Sequence, residues 1–236
     1  MNVLLFNNKS NHNTQIIYIH GGGYVLGIND GHVNLAKYFV NEADVTIHMP
    51  DYPLAPHHQY NETYEKMIAL YESILQGTSP DNIIFMGDSA GGGLSLGISQ
   101  YLKELDLPQP SQIILLSPWL DITMENPDAL KYDKNDVILG IPGLLEFGKV
   151  WAGDADPQNY MLSPINGPLE GTAPITMIGG TYEVFYPDFI KLTEKANSSN
   201  INITFYEYNK MLHVFPLFGM PESDDARLKI VQKIKQ

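Results

Sequence analysis

Three stretches of this chain hold side chains and backbone groups that could act on one another chemically. Gly87-Asp88-Ser89-Ala90-Gly91 is a G-x-S-x-G run in which a serine can sit on a sharp strand-to-helix turn with its Oγ free to attack. His20-Gly21-Gly22-Gly23-Tyr24 is a loop almost without side chains, so its N–H groups can come close to an oxyanion. Near the C-terminus lies His213, placed to carry a proton. A nucleophile, a set of oxyanion donors and a base are what acyl transfer through a serine ester requires.

The local context supports Ser89. The apolar run 83–86 precedes it, and a helical pattern with Leu94, Leu96, Ile98, Tyr101 and Leu102 follows it. Gly87 and Gly91 permit the tight turn because a Cβ at either place would crowd backbone. The donors expected for the oxyanion are the N–H groups of Gly22, Gly23 and Ala90, the last being the residue after the nucleophile. Of seven histidines (His12, His20, His32, His48, His57, His58 and His213) only His213 follows Ser89, as the chain order serine, acid, histidine demands. His20 is expected to orient the glycine loop.

The acid must then lie between Ser89 and His213, near a strand end. Two carboxylates compete after the apolar run 175–178. Asp188 follows Pro187 at the head of an apolar-periodic segment, where a helix N-cap or first-turn acid belongs. Glu183 has no such structural reason to be there and is favoured as the group that orients His213.

Elements that could hold these groups in place are legible. Short apolar runs at 16–19, 45–49, 83–86, 113–116 and 175–178 read as strands buried on both faces of a parallel sheet, with a weaker run at 3–6. At 201–206 apolar and polar residues alternate, which suits a strand nearer an edge. Helical patterns span about 32–41, 60–76, 90–105, 142–151, 187–198 and 223–235. The last carries Ala226, Ile230, Val231 and Ile234 on one face. Alternating strand and helix predicts an α/β fold with a mostly parallel central sheet and helices on both faces, as one domain over 1–236. The long polar stretch 121–160 between two strands reads as a cap or binding insertion. It shows no amphipathic lid helix with a large apolar face, so activation at a lipid interface is not expected.

Composition sets limits. The chain has 236 residues, 44% of them hydrophobic, enough for one core. With 14 basic and 27 acidic residues its formal net charge is −13, which gives no electrostatic reason to bind nucleic acid or an anionic membrane. The absence of cysteine excludes disulfides, thiol nucleophiles and cysteine metal sites. The start of the chain lacks the basic and apolar regions of a signal peptide, and no stretch is long and apolar enough to span a bilayer. A soluble, cytoplasmic protein is the expectation.

On the motifs His20–Tyr24, Asp51-Tyr52-Pro53-Leu54-Ala55-Pro56, Gly87–Gly93, Ser117-Pro118-Trp119-Leu120-Asp121 and Met211-Leu212-His213-Val214-Phe215, the chain resembles the hormone-sensitive-lipase-like branch of the α/β-hydrolases. The resemblance runs from about residue 16 to the end. It implies the α/β-hydrolase fold and a carboxylesterase of small-molecule esters with short acyl groups, without cofactor or metal. It also implies Ser89 as nucleophile, His213 as base and the glycine loop with Ala90 as oxyanion hole. Three features depart from the family pattern. The acid's position is taken by Glu183 where aspartate is usual, and Pro53 stands where arginine is usual. Most members also carry a much longer segment before the glycine loop, so a reduced cap, small or built from 121–160, is expected. Tyr24, Trp119, Phe147 and Trp151 could wall the pocket or belong to the core. An amidase or peptidase with the same triad, or a non-catalytic small-molecule-binding protein on the same scaffold, are the alternative readings.

Overall fold

In the computed structural model, residues 1–7 and 13–236 are described; His12 lies outside them. Seven strands among them form one sheet: β1 (Asn2–Phe6), β2 (Gln15–Ile19), β3 (Thr46–Asp51), β4 (Ile83–Asp88), β5 (Gln112–Leu116), β6 (Ile175–Gly180) and β7 (Ile203–Tyr208). Their spatial order is β1-β3-β2-β4-β5-β6-β7. Only β1 is antiparallel, against β3; every other pair is parallel. The alternating strand at the end of the series, β7, is at an edge, as its half-polar pattern predicts.

Between the strands run α1 (Asp30–Ala43), α2 (Tyr60–Leu75), α3 (Ala90–Glu104), α4 (Ala129–Asp133), α5 (Ile141–Ala152), α6 (Tyr186–Ser198) and α7 (Pro221–Ile234). Neighbouring strand residues point to opposite faces, so each central strand feeds two cores. Ile17, Ile19, Phe85, Ile113, Leu115 and Met177 pack with α2, α3 and α6. Ile16, Tyr18, Ile84, Met86, Ile114, Leu116 and Ile178 pack with α1 and α7. The α7 stripe Ala226, Ile230, Val231 and Ile234 is buried there, each larger member contributing about 1.5–3 kcal/mol. Among the described residues no helix is long and apolar enough to cross a membrane.

All the predicted strands and helices are present, with ends shifted by a few residues. The short α4 has no counterpart in the sequence reading. Within 121–160, α5 buries Leu144, Gly148, Trp151 and Ala152, and a Cβ on Gly148 would stand 2.8 Å from the carbonyl of Ile122. That stripe uses only part of an apolar helix. Leu145, Phe147 and Val150 are left 43%, 37% and 37% exposed. The periodicity of a helix apolar nearly all round does not reveal which side the core takes.

The parallel strands end at the same edge of the sheet. There the glycine loop leaves β2, Ser89 follows β4, Ser117 follows β5, Glu183 follows β6 and His213 follows β7. This is where an open α/β sheet places its ligands. The close approach of α3 to β2 depends on Gly91, where a Cβ would lie 2.0 Å from the carbonyl oxygen of Ile19 and 2.6 Å from that of His20. Gly91→Ala is expected to lower unfolding free energy by about 3 kcal/mol or more, whereas Gly140→Ala, in open space, changes it by less than about 0.5 kcal/mol. Urea denaturation midpoints of the two variants check this.

Candidate active site

The turn at Ser89 is strained and locked. Its φ of 51° and ψ of −120° lie in a sparsely populated region that costs on the order of 1–3 kcal/mol for a residue with a side chain. The Ser89 N–H donates to the Leu116 carbonyl (2.9 Å), and the Ser89 carbonyl accepts from Trp119 N–H (2.8 Å) and Gly93 N–H (3.1 Å). A Cβ on Gly87 would meet the Gly91 carbonyl at 2.2 Å. Strand β4 and helix α3 therefore join at contact distance, with the serine at their corner.

From that corner a relay of hydrogen bonds runs inward. His213 Nε2 is 2.9 Å from Ser89 Oγ, and its Nδ1 is 2.8 Å from Glu183 Oε2. A carboxylate can only accept, so Nδ1 carries the proton and Nε2 accepts from the serine hydroxyl. The other oxygen, Oε1, accepts from Ser117 Oγ (2.8 Å) and from Gly180 N–H (2.5 Å). Burial pushes the Glu183 carboxyl above its ordinary range, opposed by the bond to and charge of His213, the Gly180 N–H and the Ser117 hydroxyl. Asp188 is elsewhere. It sits in the first turn of α6, caps nothing, and accepts from Asn126 Nδ2 at 2.7 Å.

The glycine loop closes through bonds from Val25 and Leu26 N–H to the Gly22 carbonyl. Gly22 and Gly23 have φ of 112° and 61°, open to glycine and strained for other residues. Among the described residues no hydrogen bond uses the N–H of either, and Ala90 begins α3, where the first N–H groups have no partner within the helix. His20 supports this loop, as expected. Its ring stacks on Tyr52 (centroids 4.3 Å apart), its Nδ1 is 2.7 Å from the Gly21 carbonyl, and burial holds its pKa below the usual value.

Gly22, Gly23, Ser89 and His213 line one cavity of about 700 Å³. Its walls are largely apolar: Leu26, Trp119, Leu139, Leu144, Phe147 and Leu217 are among them. Trp119 and Phe147 thus line the pocket as proposed from the sequence. Tyr24 and Trp151 do not. Their rings stack on each other at 4.4 Å and 2° in the core, because burying two large flat surfaces together removes more apolar area than facing a cavity would. Ile138, Leu139, Gly140, Gly143 and Leu144 of the long insertion form one wall.

Several contributors went unread in the sequence. Asp136 Oδ1 accepts from Ile138 and Leu139 N–H (2.9 Å each), while Oδ2 accepts from Val184 N–H (3.0 Å), tying this wall to the loop of Glu183. Asp88 accepts from Tyr18 OH at 2.8 Å and faces His32 Nε2 at 3.4 Å. Burial acts to raise its pKa, but His32 and Tyr18 outweigh that and hold the carboxyl below the usual range. An aspartate two or three residues before a loop is the one local signal for Asp136; the others depend on contacts distant in sequence. Among the described residues no group of three or more His, Asp or Glu side chains could hold a metal ion.

Comparison with known proteins gives a consistent result. A family described by its alpha/beta hydrolase fold matches residues 16–217. An esterase of Acinetobacter venetianus is 33% identical over 224 residues, covering 93% of this chain and 74% of its own. An acetyl-hydrolase of Streptomyces hygroscopicus is 28% identical, covering 85% and 67%. The crystal structure of a hormone-sensitive lipase from a metagenome library superposes with a TM-score of 0.94 at 27% identity, over 99% of this chain and 80% of that one.

Asp188 yields a test of its placement. Burial raises its pKa to about 6, above the unfolded value near 3.8, with Asp121 adding to the shift. The folded form then binds more protons between these values, so this group's contribution to stability is full below about pH 4 and is lost as pH rises through about 6. Asp188→Asn is expected to be more stable than the parent at pH 8, by at most about 3 kcal/mol, and nearly equal near pH 4. Denaturant unfolding at the two pH values measures the difference.

Proposed function

The chain belongs to the α/β-hydrolase family, in its hormone-sensitive-lipase-like branch, and is a hydrolase of carboxylic esters; on that premise we propose that it works through an acyl-enzyme on Ser89 and prefers short acyl chains. The observation that carries this reading is the unbroken relay Ser89–His213–Glu183 opening into an apolar cavity.

Ser89 Oγ attacks the ester carbonyl carbon as His213 Nε2 takes the hydroxyl proton. Glu183 stays ionised, holds the imidazole in the tautomer with Nδ1 protonated, and stabilises the imidazolium. The tetrahedral oxyanion accepts from Gly22, Gly23 and Ala90 N–H. Collapse breaks the carbon–oxygen bond to the alcohol, which leaves with the proton from His213. Water then adds to the acyl-enzyme, giving its proton to His213, and the second collapse returns that proton to Ser89 and frees the acid. The Asp88 carboxylate in the wall already faces His32, so the cavity suits uncharged esters. A relative named acetyl-hydrolase supports the small acyl group.

Ser89→Ala is expected to abolish turnover and labelling by a fluorophosphonate probe with an unchanged circular dichroism spectrum. A binding protein would show no turnover even in the parent. His213→Ala loses activity by orders of magnitude, and Glu183→Gln lowers kcat by up to about 10⁴-fold, far more than Asp188→Asn does. A larger loss for Asp188→Asn than for Glu183→Gln would move the acid to Asp188.

Each CH₂ buried by an acyl chain gains about 0.8 kcal/mol until the pocket is full. Across p-nitrophenyl esters kcat/KM is expected to peak between acetyl and hexanoyl. A peak at decanoyl, or highest activity on long-chain triglyceride emulsions, would identify a lipase instead.

A further inference from the structure

Ser117 is fully buried just after β5 and takes no part in the reaction described above. Its hydroxyl nevertheless touches two of the three loops that carry the relay. Oγ donates to Glu183 Oε1 (2.8 Å) and accepts from Val214 N–H (3.1 Å), the residue after His213. Its backbone engages β6, with Ser117 N–H donating to the Ile178 carbonyl at 2.8 Å. Its neighbours hold the third loop: Leu116 accepts from Ser89 N–H and Trp119 donates to the Ser89 carbonyl.

Backbone conformation marks the same place. Ser89, Ser117 and Val214 have φ of 51°, 46° and 48°, all in the left-handed region. For a β-branched valine that is a true outlier, which persists only when its surroundings over-determine it. The Ser117 hydroxyl, on the Val214 N–H, is one of the groups that do so. Neither Pro118 nor any neighbouring apolar side chain could replace a group that donates and accepts at once.

We propose that Ser117 is a positioning residue: its hydroxyl couples the acid to the base by fixing the Glu183 carboxylate and the backbone that follows His213 in one geometry. This rests on the triad reading above. Glu183 must be ionised to orient the imidazole, yet it is buried, and its stabilisation comes from His213, Gly180 N–H and Ser117 alone among the bonds it makes. His213 is the titratable group in contact with it, and Asp136 is the carboxylate bound one residue away on Val184 N–H. Removing the Ser117 donor leaves the anion less stabilised. The Glu183 carboxyl, already pushed up by burial, then takes up its proton at higher pH.

The test compares the parent with Ser117→Ala and Ser117→Gly, using p-nitrophenyl butyrate from pH 5 to pH 9. Both variants are expected to lose tenfold to a hundredfold in kcat/KM at neutral pH, mostly in kcat, with the acid limb of the profile moved to higher pH. Glycine relieves the positive φ, so it keeps the comparison available should alanine destabilise the fold. A role in packing alone would change the denaturation midpoint and leave the acid limb of folded protein where it was. An unmoved limb in a folded variant overturns the proposal. Ser89→Ala runs beside them. If it stays active the triad reading fails, whereas an inert Ser89→Ala with parental limbs for both Ser117 variants defeats this inference alone.

Discussion

The structure turns on one buried charge. Glu183 is a carboxylate with no access to water, and an unpaired charge in such a place costs more than a domain of this size can offset. It is tolerated because both oxygens are saturated, one by His213 and the other by Ser117 and Gly180. Those donors come from the ends of three strands, β5, β6 and β7. Their positions are set by the parallel register that brings the strands to a common edge. The charge thus makes the geometry of the strand ends a condition of stability, and the same geometry points His213 at Ser89.

Strain accompanies this arrangement. Positive-φ backbone occurs at Ser89 and Val214, which line the cavity, and at Tyr24 and Ser117 in the loops that follow β2 and β5. Each such residue costs free energy that the sheet and its helices must offset. The offset is visible in contacts made at the limit of approach: Gly87 against Gly91, Gly91 against the carbonyl of Ile19, and Gly93 against the carbonyl of Trp119. A helix that begins this close to a strand end also places its first N–H groups beside Ser89, where the proposed reaction would develop negative charge. Support for the site therefore comes from tight packing beneath it.

The cavity walls come from a different source. Residues 138–144 and Phe147 belong to the insertion between β5 and β6, and the insertion is joined to the site through Asp136 and through contact of Phe147 with Gly23. Beneath it runs a series of rings, Trp151, Tyr24, Trp119, Phe185 and His213, each within 6 Å of the next. Ring contacts of this kind, edge-to-face at His213, give its imidazole a rigid floor at modest entropic cost. The exposed Leu145, Phe147 and Val150 on α5 show that this part of the chain keeps apolar surface outside the core.

Local pattern was enough for the strands and the helices, and for singling out Ser89 and His213, which the fold brings to hydrogen-bond distance. A buried parallel strand is written as a continuous apolar run, and the elbow needs glycine at fixed offsets from its serine. That Glu183 rather than Asp188 meets His213 was also legible, because the first-turn position of α6 accounted for Asp188 by itself. Ser117, Asp136 and the Asp88–His32–Tyr18 group were not readable as contributors. Each acts through a partner far away in sequence, 66 residues in the case of Ser117 and Glu183, and no spacing rule spans such a gap. The pocket walls divided for the same reason. Tyr24, Trp119, Phe147 and Trp151 are all large aromatic residues near the motifs, and sequence treats them alike. Only the packing of α5 against the glycine loop decides that Trp151 and Tyr24 stack inward while Phe147 and Trp119 line the cavity.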